Sequence, residues 1–282
     1  MKNLIFLLFL ASLVSCTKSQ FKQLDPAFIV VDGIDVLRSN SNPEPLHAIE
    51  DLWVFVDEIY LGTFPVPIDI PVLNEGTGKR IKIFPGIREF GIRSRPEIYT
   101  LMEPYTLQTE LDPGEYYSIK PMFKYKQNIS SSFFEDFENG NLFSMDLDQD
   151  KSNHITRTSL DAQDGRFSGM ILNDAQQTLT EIATSGIKIS PAAILELSFK
   201  SSQDFNIGVQ LISGAQPVKN YFLVLKASAV WKKIYIPFRE VIDSNPDKVY
   251  QLIIKSEYTA DPKNPMNSQT VFLDHLKIIS LP

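Results

Sequence analysis

The run Ile194-Leu195-Glu196-Leu197-Ser198-Phe199-Lys200 alternates apolar and polar residues without a break. A period of two places Leu195, Leu197 and Phe199 on one face of an extended strand and Glu196, Ser198 and Lys200 on the other. Strand-like runs recur at Gly169 to Leu172, Leu179 to Ile189, Phe205 to Ile212, Tyr221 to Lys226, Trp231 to Phe238, Val249 to Ser256 and Thr270 to Ile279. Eight or nine strands separated by turns predict a two-sheet antiparallel sandwich from Phe133 to Pro282. No segment holds a helical period over ten residues; Arg239 to Asp243 has room for one helical turn.

Upstream the texture is also β. Ala27 to Leu37 contains a turn at Asp32-Gly33, and the aromatic and β-branched run Leu52 to Leu61 reads as one strand ending at Gly62. Pro65 to Pro71 reads as an edge or a crossing loop, because proline cannot donate to a ladder. Ile81 to Phe84 is a short strand stopped by Pro85-Gly86, and Glu115 to Tyr125 returns after the turn Asp112-Pro113-Gly114. The polar stretch Gln127 to Ser132 is the expected joint between two halves. The fold class expected is therefore all-β, two sandwiches in tandem.

Val56-Asp57, Leu61-Gly62-Thr63 with Pro65, Phe84-Pro85-Gly86 and Leu111-Asp112-Pro113-Gly114-Glu115-Tyr116 resemble phrases of PEGA-type and related immunoglobulin-like modules. That resemblance implies an immunoglobulin-like β-sandwich over 26–126, acting as a non-catalytic spacer or adhesive unit. Arg88 to Pro96 departs from it as an inserted loop carrying Arg88, Arg93 and Arg95. The second half resembles jelly-roll, galactose-binding-like domains, which include many carbohydrate-binding modules. Asp136-Phe137-Glu138 with Gly140, the Asp164-Gly165 and Gly169 cluster, Trp231-Lys232-Lys233 leading to Ile236-Pro237-Phe238, and Phe272 to Ile278 carry the likeness. It implies a jelly roll over 133–282, with a linker at 127–132 and a structural calcium where first and last strands meet.

The N-terminus opens with Lys2, an apolar run from Leu4 to Leu10, and Leu13-Val14-Ser15-Cys16. The run is far shorter than the roughly 20 apolar residues of a membrane-spanning helix, and it reads as a secretory signal over 1–15. Its ending resembles the lipobox of bacterial lipoproteins, which implies cleavage before Cys16 and acylation of that residue. Cys16 is the only cysteine, so no disulfide forms within the chain. Residues 16–25 then serve as a lipidated tether, with the membrane as partner. Thr17-Lys18-Ser19-Gln20 lacks the acidic export tag of some Bacteroidetes-type lipoproteins. The expected location is the outer membrane of the cell envelope, on its periplasmic face.

Calcium takes six to eight oxygens, chiefly carboxylates and carbonyls. Glu138 (or Asp136), the carbonyls around Asp164 to Gly165, and Asp274 are the candidate ligands under the jelly-roll resemblance. Asp274 places a charge between Val271-Phe272-Leu273 and Leu276 to Ile278; it is either a ligand or a strand residue facing solvent. Asp146, Asp148 and Asp150 have the spacing that opens an EF-hand loop, but Lys151 stands where glycine is needed and Arg157 where the glutamate belongs. That stretch reads as a solvated acidic loop.

Trp53 and Trp231 are candidates for stacking on sugar, with core packing as the plainer reading; Tyr221 and Tyr258 are further candidates. A net charge of −7 without a basic stripe argues against nucleic acid. His47, His154 and His275 are isolated, and neither a Gly-x-Ser-x-Gly elbow nor a glycine-rich phosphate loop occurs. The chain is expected to bind rather than catalyse. Its partner is a glycan held by the jelly roll or, in the alternative, other envelope proteins among which it acts as a structural or assembly partner.

Overall fold

The computed structural model describes residues 25–38, 46–73, 78–150, 154–212, 216–242, 248–260 and 267–282. The signal at 1–15, Cys16, the tether up to residue 24 and the turn at 39–45 lie outside the described residues. Those described are all-β apart from one 3-10 turn, Phe238–Glu240, which falls where a single helical turn was expected. Among them no helix is long and apolar enough to cross a membrane.

Two sheets face each other in the second half. The first runs Thr156–Thr158, Ser168–Asn173, Gln269–Ser280, Ile194–Ser201, Ser228–Pro237, and Ser130–Glu135 also pairs with Gln269–Ser280. The second runs Phe143–Asp146, Leu179–Thr184, Val249–Glu257, Phe205–Leu211, Val218–Leu225. Leu195, Leu197 and Phe199 do point into the space between the sheets, against Phe205, Ile207, Leu252 and Ile254. Burying a side chain of this size is worth roughly 1.5–3 kcal/mol, and this inner layer is what fixes the strand register. Ser130–Ser132, expected in the linker, belong instead to the strand Ser130–Glu135, because the long closing strand reaches Ser280 and offers them a partner.

In the first half, Ala27–Val31 lies between Ile68–Val72 and Tyr116–Ser118, parallel to the latter. Met122–Tyr125 joins Asp35–Val36 and Met102–Glu103. A five-stranded sheet covers the same core: Ile59–Pro65, Asp51–Val56, Lys79–Arg88 and Pro96–Ile98, with Tyr105–Thr109 also on Lys79–Arg88.

Two readings of this half are corrected. Leu52 to Leu61 is not one strand but a hairpin turning at Asp57-Glu58, both with positive φ (50° and 65°). No glycine announces that turn; the Asp57 carboxylate holds it by accepting from the Arg80 amide (2.9 Å) and Lys79 Nζ (3.0 Å). Pro85-Gly86 does not stop its strand either. Lys79–Arg88 runs through both, exchanging Tyr105–Thr109 for Pro96–Ile98 as neighbour. Gly86 is needed there because a Cβ would meet the Asp51 carbonyl at 2.7 Å.

The halves meet on the outer face of the first jelly-roll sheet. Ile194, Tyr235 and Ile279 of that face pack into the core of the first half. The arginine loop is the clasp: buried Glu89 takes Arg95 (3.2 Å) from its own loop and Arg239 (2.6 Å) from the second half. The Phe90 amide donates to the Tyr235 carbonyl (2.8 Å).

Candidate functional site

The loop 161–167 gathers the candidate calcium residues. Asp274 is fully buried, and its Oδ2 accepts from the amides of Gln163 (3.0 Å) and Asp164 (3.5 Å). Its Oδ1 accepts from the His275 amide (2.8 Å). A bulge creates this arrangement. Glu196 pairs with Lys277 and Ser198 with Asp274, so the closing strand carries one extra residue, and His275 sits at φ 47°. Bulges re-aim side chains, and this one keeps Asp274 on the outer face while Leu273 and Leu276 stay inside.

Burial pushes the Asp274 carboxyl up to about 7, its three amide donors offsetting only part of that, and Asp136 adds to the rise. Glu138 behaves differently. Its half-buried carboxylate accepts from the Arg166 (2.7 Å) and Phe167 (2.8 Å) amides. Burial, the largest single influence, pushes it up, but these donors together with Arg157 and His275 outweigh that push, so its carboxyl lies below the usual range. Gly165, at φ 67°, is required here, since a Cβ would meet Glu138 Oε1 at 2.5 Å. Asp164 Oδ2 stands 3.9 Å from His275 Nε2. Burial holds His275 below its ordinary pKa, ahead of Lys233, whose charge acts the same way.

Glu138, Asp164 and Asp274 thus share one loop, and neither Glu138 nor Asp274 is left unpaired as two facing carboxylates would be. Among the described residues the one acidic group whose ligand atoms all lie within 4.8 Å of one another is Asp146, Asp148 and Asp150, which could hold a metal ion. Asp146 and Asp150 are exposed, as expected of a solvated acidic loop, but Asp148 is half-buried: its Oδ2 accepts from the Glu181 amide (2.8 Å), and burial, then the neighbouring Asp146, raise its carboxyl.

The outer face of the second sheet is a separate surface, and the sequence reading did not single it out. Gln210 and Gln251 lie side by side on it, Gln210 Nε2 donating to Gln251 Oε1 (3.1 Å). Both are buried, as are Ala183 and Ile253 of the same face. Lys219 reaches Glu181 (2.6 Å) across two intervening strands. Strands lie about 4.8 Å apart in a sheet, so this pair closes only because the sheet curls and its outer face is concave. Tyr221, which opens one of the expected strand-like runs, lies in the strand Val218–Leu225, its ring over Gly208, where a Cβ would meet Cδ1 at 2.8 Å. Lys255 sits 5.5 Å from the centre of that ring. Gln210 Oε1 and the Tyr221 hydroxyl are buried without a hydrogen-bond partner among the described residues.

Trp53 stacks with Tyr60 at 5.5 Å on the outer face of the five-stranded sheet, beside Phe55 and Phe84. Trp231, expected in the core, is half-buried at the junction of the halves and donates from Nε1 to Asp161 (2.8 Å). The Tyr258 amide donates to the Thr178 carbonyl (2.7 Å), just beyond the paired strands Leu179–Thr184 and Val249–Glu257.

Neither a protein-family profile nor a curated protein matches the chain. Among solved structures it is similar to a family 30 carbohydrate-binding module of a Clostridium thermocellum cellulosomal cellulase: 14% identity, 54% of this chain, 97% of that one, TM-score 0.35. It is also similar to a family 22 carbohydrate-binding module of Clostridium thermocellum Xyn10B (12%, 55% of this chain, 97% of that one, TM-score 0.38). A third is a xylan-binding domain from Paenibacillus barcinonensis Xyn10C (10%, 55%, 97%, TM-score 0.38).

Proposed function

We propose that this protein is a non-catalytic glycan-binding module, tethered to the periplasmic face of a bacterial outer membrane by a lipid on Cys16. One observation carries the glycan reading. The first half covers one outer face of the jelly roll, and the concave face left to the other sheet is floored by amides, a tyrosine ring and an ion pair. Sugars offer hydroxyls that both donate and accept, together with apolar ring faces. Planar amides and charged groups meet the first, an aromatic ring the second. The Gln210–Gln251 pair, Tyr221, Lys219 and Glu181 supply that set. Glycan-array binding by the purified, detergent-solubilised protein should be lost in Tyr221→Ala and weakened in Gln210→Leu, with the far-UV spectrum unchanged. Retention of every hit in both variants would move glycan binding off this face. The anchor is tested separately: Cys16→Ala should lose acyl labelling and leave the membrane fraction.

A calcium ion at Asp274, with Asp164 and Glu138, belongs to the same reading. What supports it is the chemistry of Asp274: a buried carboxylate whose neighbour His275, at 3.7 Å, is held toward neutrality by burial. A divalent cation there would supply the missing positive charge and tie the loop 161–167 to the closing strand. The first half is read as an immunoglobulin-like spacer.

A second reading, docking to other envelope proteins, is favoured by the first half. Ile59, Tyr60 and Leu61 are exposed on an edge strand, beside the Trp53–Phe55–Phe84 cluster. Unpaired apolar edges invite added strands.

A further inference from the structure

The strand Lys79–Arg88 runs the length of the first half, roughly 30 Å at about 3.3 Å per residue. One end of it leads into Glu89 and the clasp with the jelly roll. Register fixes what gathers at the other end. The turn Asp57-Glu58 closes there, the Asp57 amide donating to the Arg80 carbonyl (2.8 Å). Thr109 pairs with Lys79, and the chain returns from it through the turn at Asp112 to Gly114 into Tyr116. Tyr116 pairs with Phe28, and Val72 with Ala27, so Leu73 lies at this end too. The chain enters the fold at the same place: the Pro26 carbonyl accepts from the Gly114 amide (3.0 Å).

This end is apolar. Ile59 (73% exposed), Leu73 (61%) and Tyr116 (62%) stand in solvent, and the Phe28 ring stacks on Tyr116 at 4.7 Å. Single exposed apolar residues are ordinary, but these come from three separate segments and collect where the chain enters. The charges beside them leave no positive excess. Lys79 is held by Asp57 (3.0 Å) and Arg80 by Glu58 (3.3 Å), while Asp112 and Glu115 are exposed.

Cys16 precedes Asp25 by nine residues, a reach of at most about 32 Å. A lipid on Cys16 therefore keeps this end, and not the jelly roll, beside the bilayer. We propose that the entry end of the first half seats on the bilayer that carries that lipid. Ile59 and Leu73 enter the acyl boundary, and Tyr116 lies at headgroup level, its ring in the apolar layer and its hydroxyl in water. The surface it fits is zwitterionic, because an anionic one would repel Asp112 and Glu115. Too small to hold the protein alone, the seat works at the high local concentration that the tether gives it. It rests on the lipid anchor proposed above, and it turns the jelly roll, clasped to the opposite end, away from the membrane.

The full chain, extracted with its lipid and reconstituted into protein-free phosphatidylcholine vesicles, tests this. A fluorophore on Pro113→Cys, in the turn of this end, should lose about half of its emission to spin-labelled lipid. The same fluorophore on Leu160→Cys of the jelly roll should lose almost none. Adding Ile59→Ser, Leu73→Ser and Tyr116→Ser together should cut the quenching at Pro113→Cys at least fivefold, with the melting temperature unchanged. That variant should still float with the vesicles, because the lipid holds it. Equal quenching at the two positions, or unaltered quenching in the triple variant, would overturn the proposal. Stronger quenching from phosphatidylglycerol vesicles would overturn the zwitterionic assignment. A chain that floats while its Pro113→Cys label stays in water overturns the seat alone, and protection of that label only in native membranes would give this end to a protein partner. A wild-type chain that takes no acyl label and does not float would instead remove the anchor, and the seat with it.

Discussion

Glu196 and Asp274 are both fully buried carboxylates on the outer face of one sheet, in adjacent strands, and their surroundings drive them in opposite directions. Burial alone would push both up. At Glu196 that push is overcome, first by Lys233, then by Lys277, and by hydrogen bonds from Lys233 and Tyr125, and its carboxyl is held at about 2. Tyr99 also donates to it, and Tyr125 does so at 2.6 Å. Lys277 is itself lowered. Its burial and the like charge of Lys233 outweigh Glu196, which pulls the other way. Asp274 has only backbone amides, all from its own half, and rises to about 7. Both tyrosines come from the first half. A buried carboxylate is thus set by what completes its surroundings: two lysines of its own sheet, helped by tyrosines of the first half, hold Glu196 ionised, whereas Asp274, with backbone amides alone, is held toward its protonated form.

The largest effect should come from Glu196→Ala. It takes from Lys233 and Lys277, almost fully buried at 4% and 5% side-chain exposure, the carboxylate they share. Removing one partner of a buried ion pair costs about 3–5 kcal/mol. Urea denaturation should read that loss. The triple change Glu196→Leu, Lys233→Leu, Lys277→Met should recover most of it, because apolar replacement of the whole cluster leaves no stranded charge. A single variant within about 1 kcal/mol of the wild type would mean water reaches the cluster, and the contrast with Asp274 would fail.

The second effect is a pH dependence of opposite sign at the two sites. Glu196 is lowered from 4.5 to about 2, so its stabilisation is present above pH 4.5 and is lost as pH falls toward 2. Asp274 is raised from 3.8 to about 7, so between those values the folded chain holds a proton that the unfolded chain has released. Stability should therefore fall as pH rises from about 4 to about 7 in the presence of a chelator. At about 1.36 kcal/mol per pKa step, and with the loop 161–167 free to relax, the loss should be about 2–4 kcal/mol. Asp274→Asn should flatten that limb. Millimolar calcium at pH 8 should restore the wild type and leave Asp274→Asn unmoved; equal restoration of both would remove Asp274 from any calcium site.

What the sequence made legible follows from what alternation reports. It placed Leu195, Leu197 and Phe199 inside and Glu196 outside, correctly for the sandwich they belong to. It said nothing of what lies beyond that outer face, so the burial of Glu196 beneath Tyr99 and Tyr125 was invisible. The charge of Asp274 within an apolar strand was visible, but not the bulge at His275, since a non-glycine residue at positive φ leaves no mark. The concave face was missed for a related reason. Gln210 and Gln251 alternate with core residues just as solvated amides would, and only the curl of the sheet buries them. Asp57-Glu58 and Pro85-Gly86 misled through turn chemistry, one lacking glycine in a turn and the other carrying proline and glycine through a central strand.

The smallest of the expected effects is also the most discriminating. Tyr125→Phe removes a hydroxyl that donates to Glu196 Oε1 and accepts from Lys277 Nζ (3.1 Å), and it opens no cavity because the ring remains. Tyr99 stays as a donor to the same carboxylate oxygen. A hydrogen bond to a charged group is worth about 1.5–3 kcal/mol, and with Tyr99 in place the loss should lie at the lower end. It should make the acid limb below pH 4.5, where Glu196 titrates, shallower, because losing a donor brings the folded carboxyl back toward its unfolded value, and leave the slope between pH 4 and 7 as it was. That separation is required if the two carboxylates are governed by different neighbours. A change in the upper slope in Tyr125→Phe would show that Glu196 and Asp274 titrate as one cluster through Ser198 and the bulge. The covering of one outer face by the first half would then also set the charge at the calcium candidate.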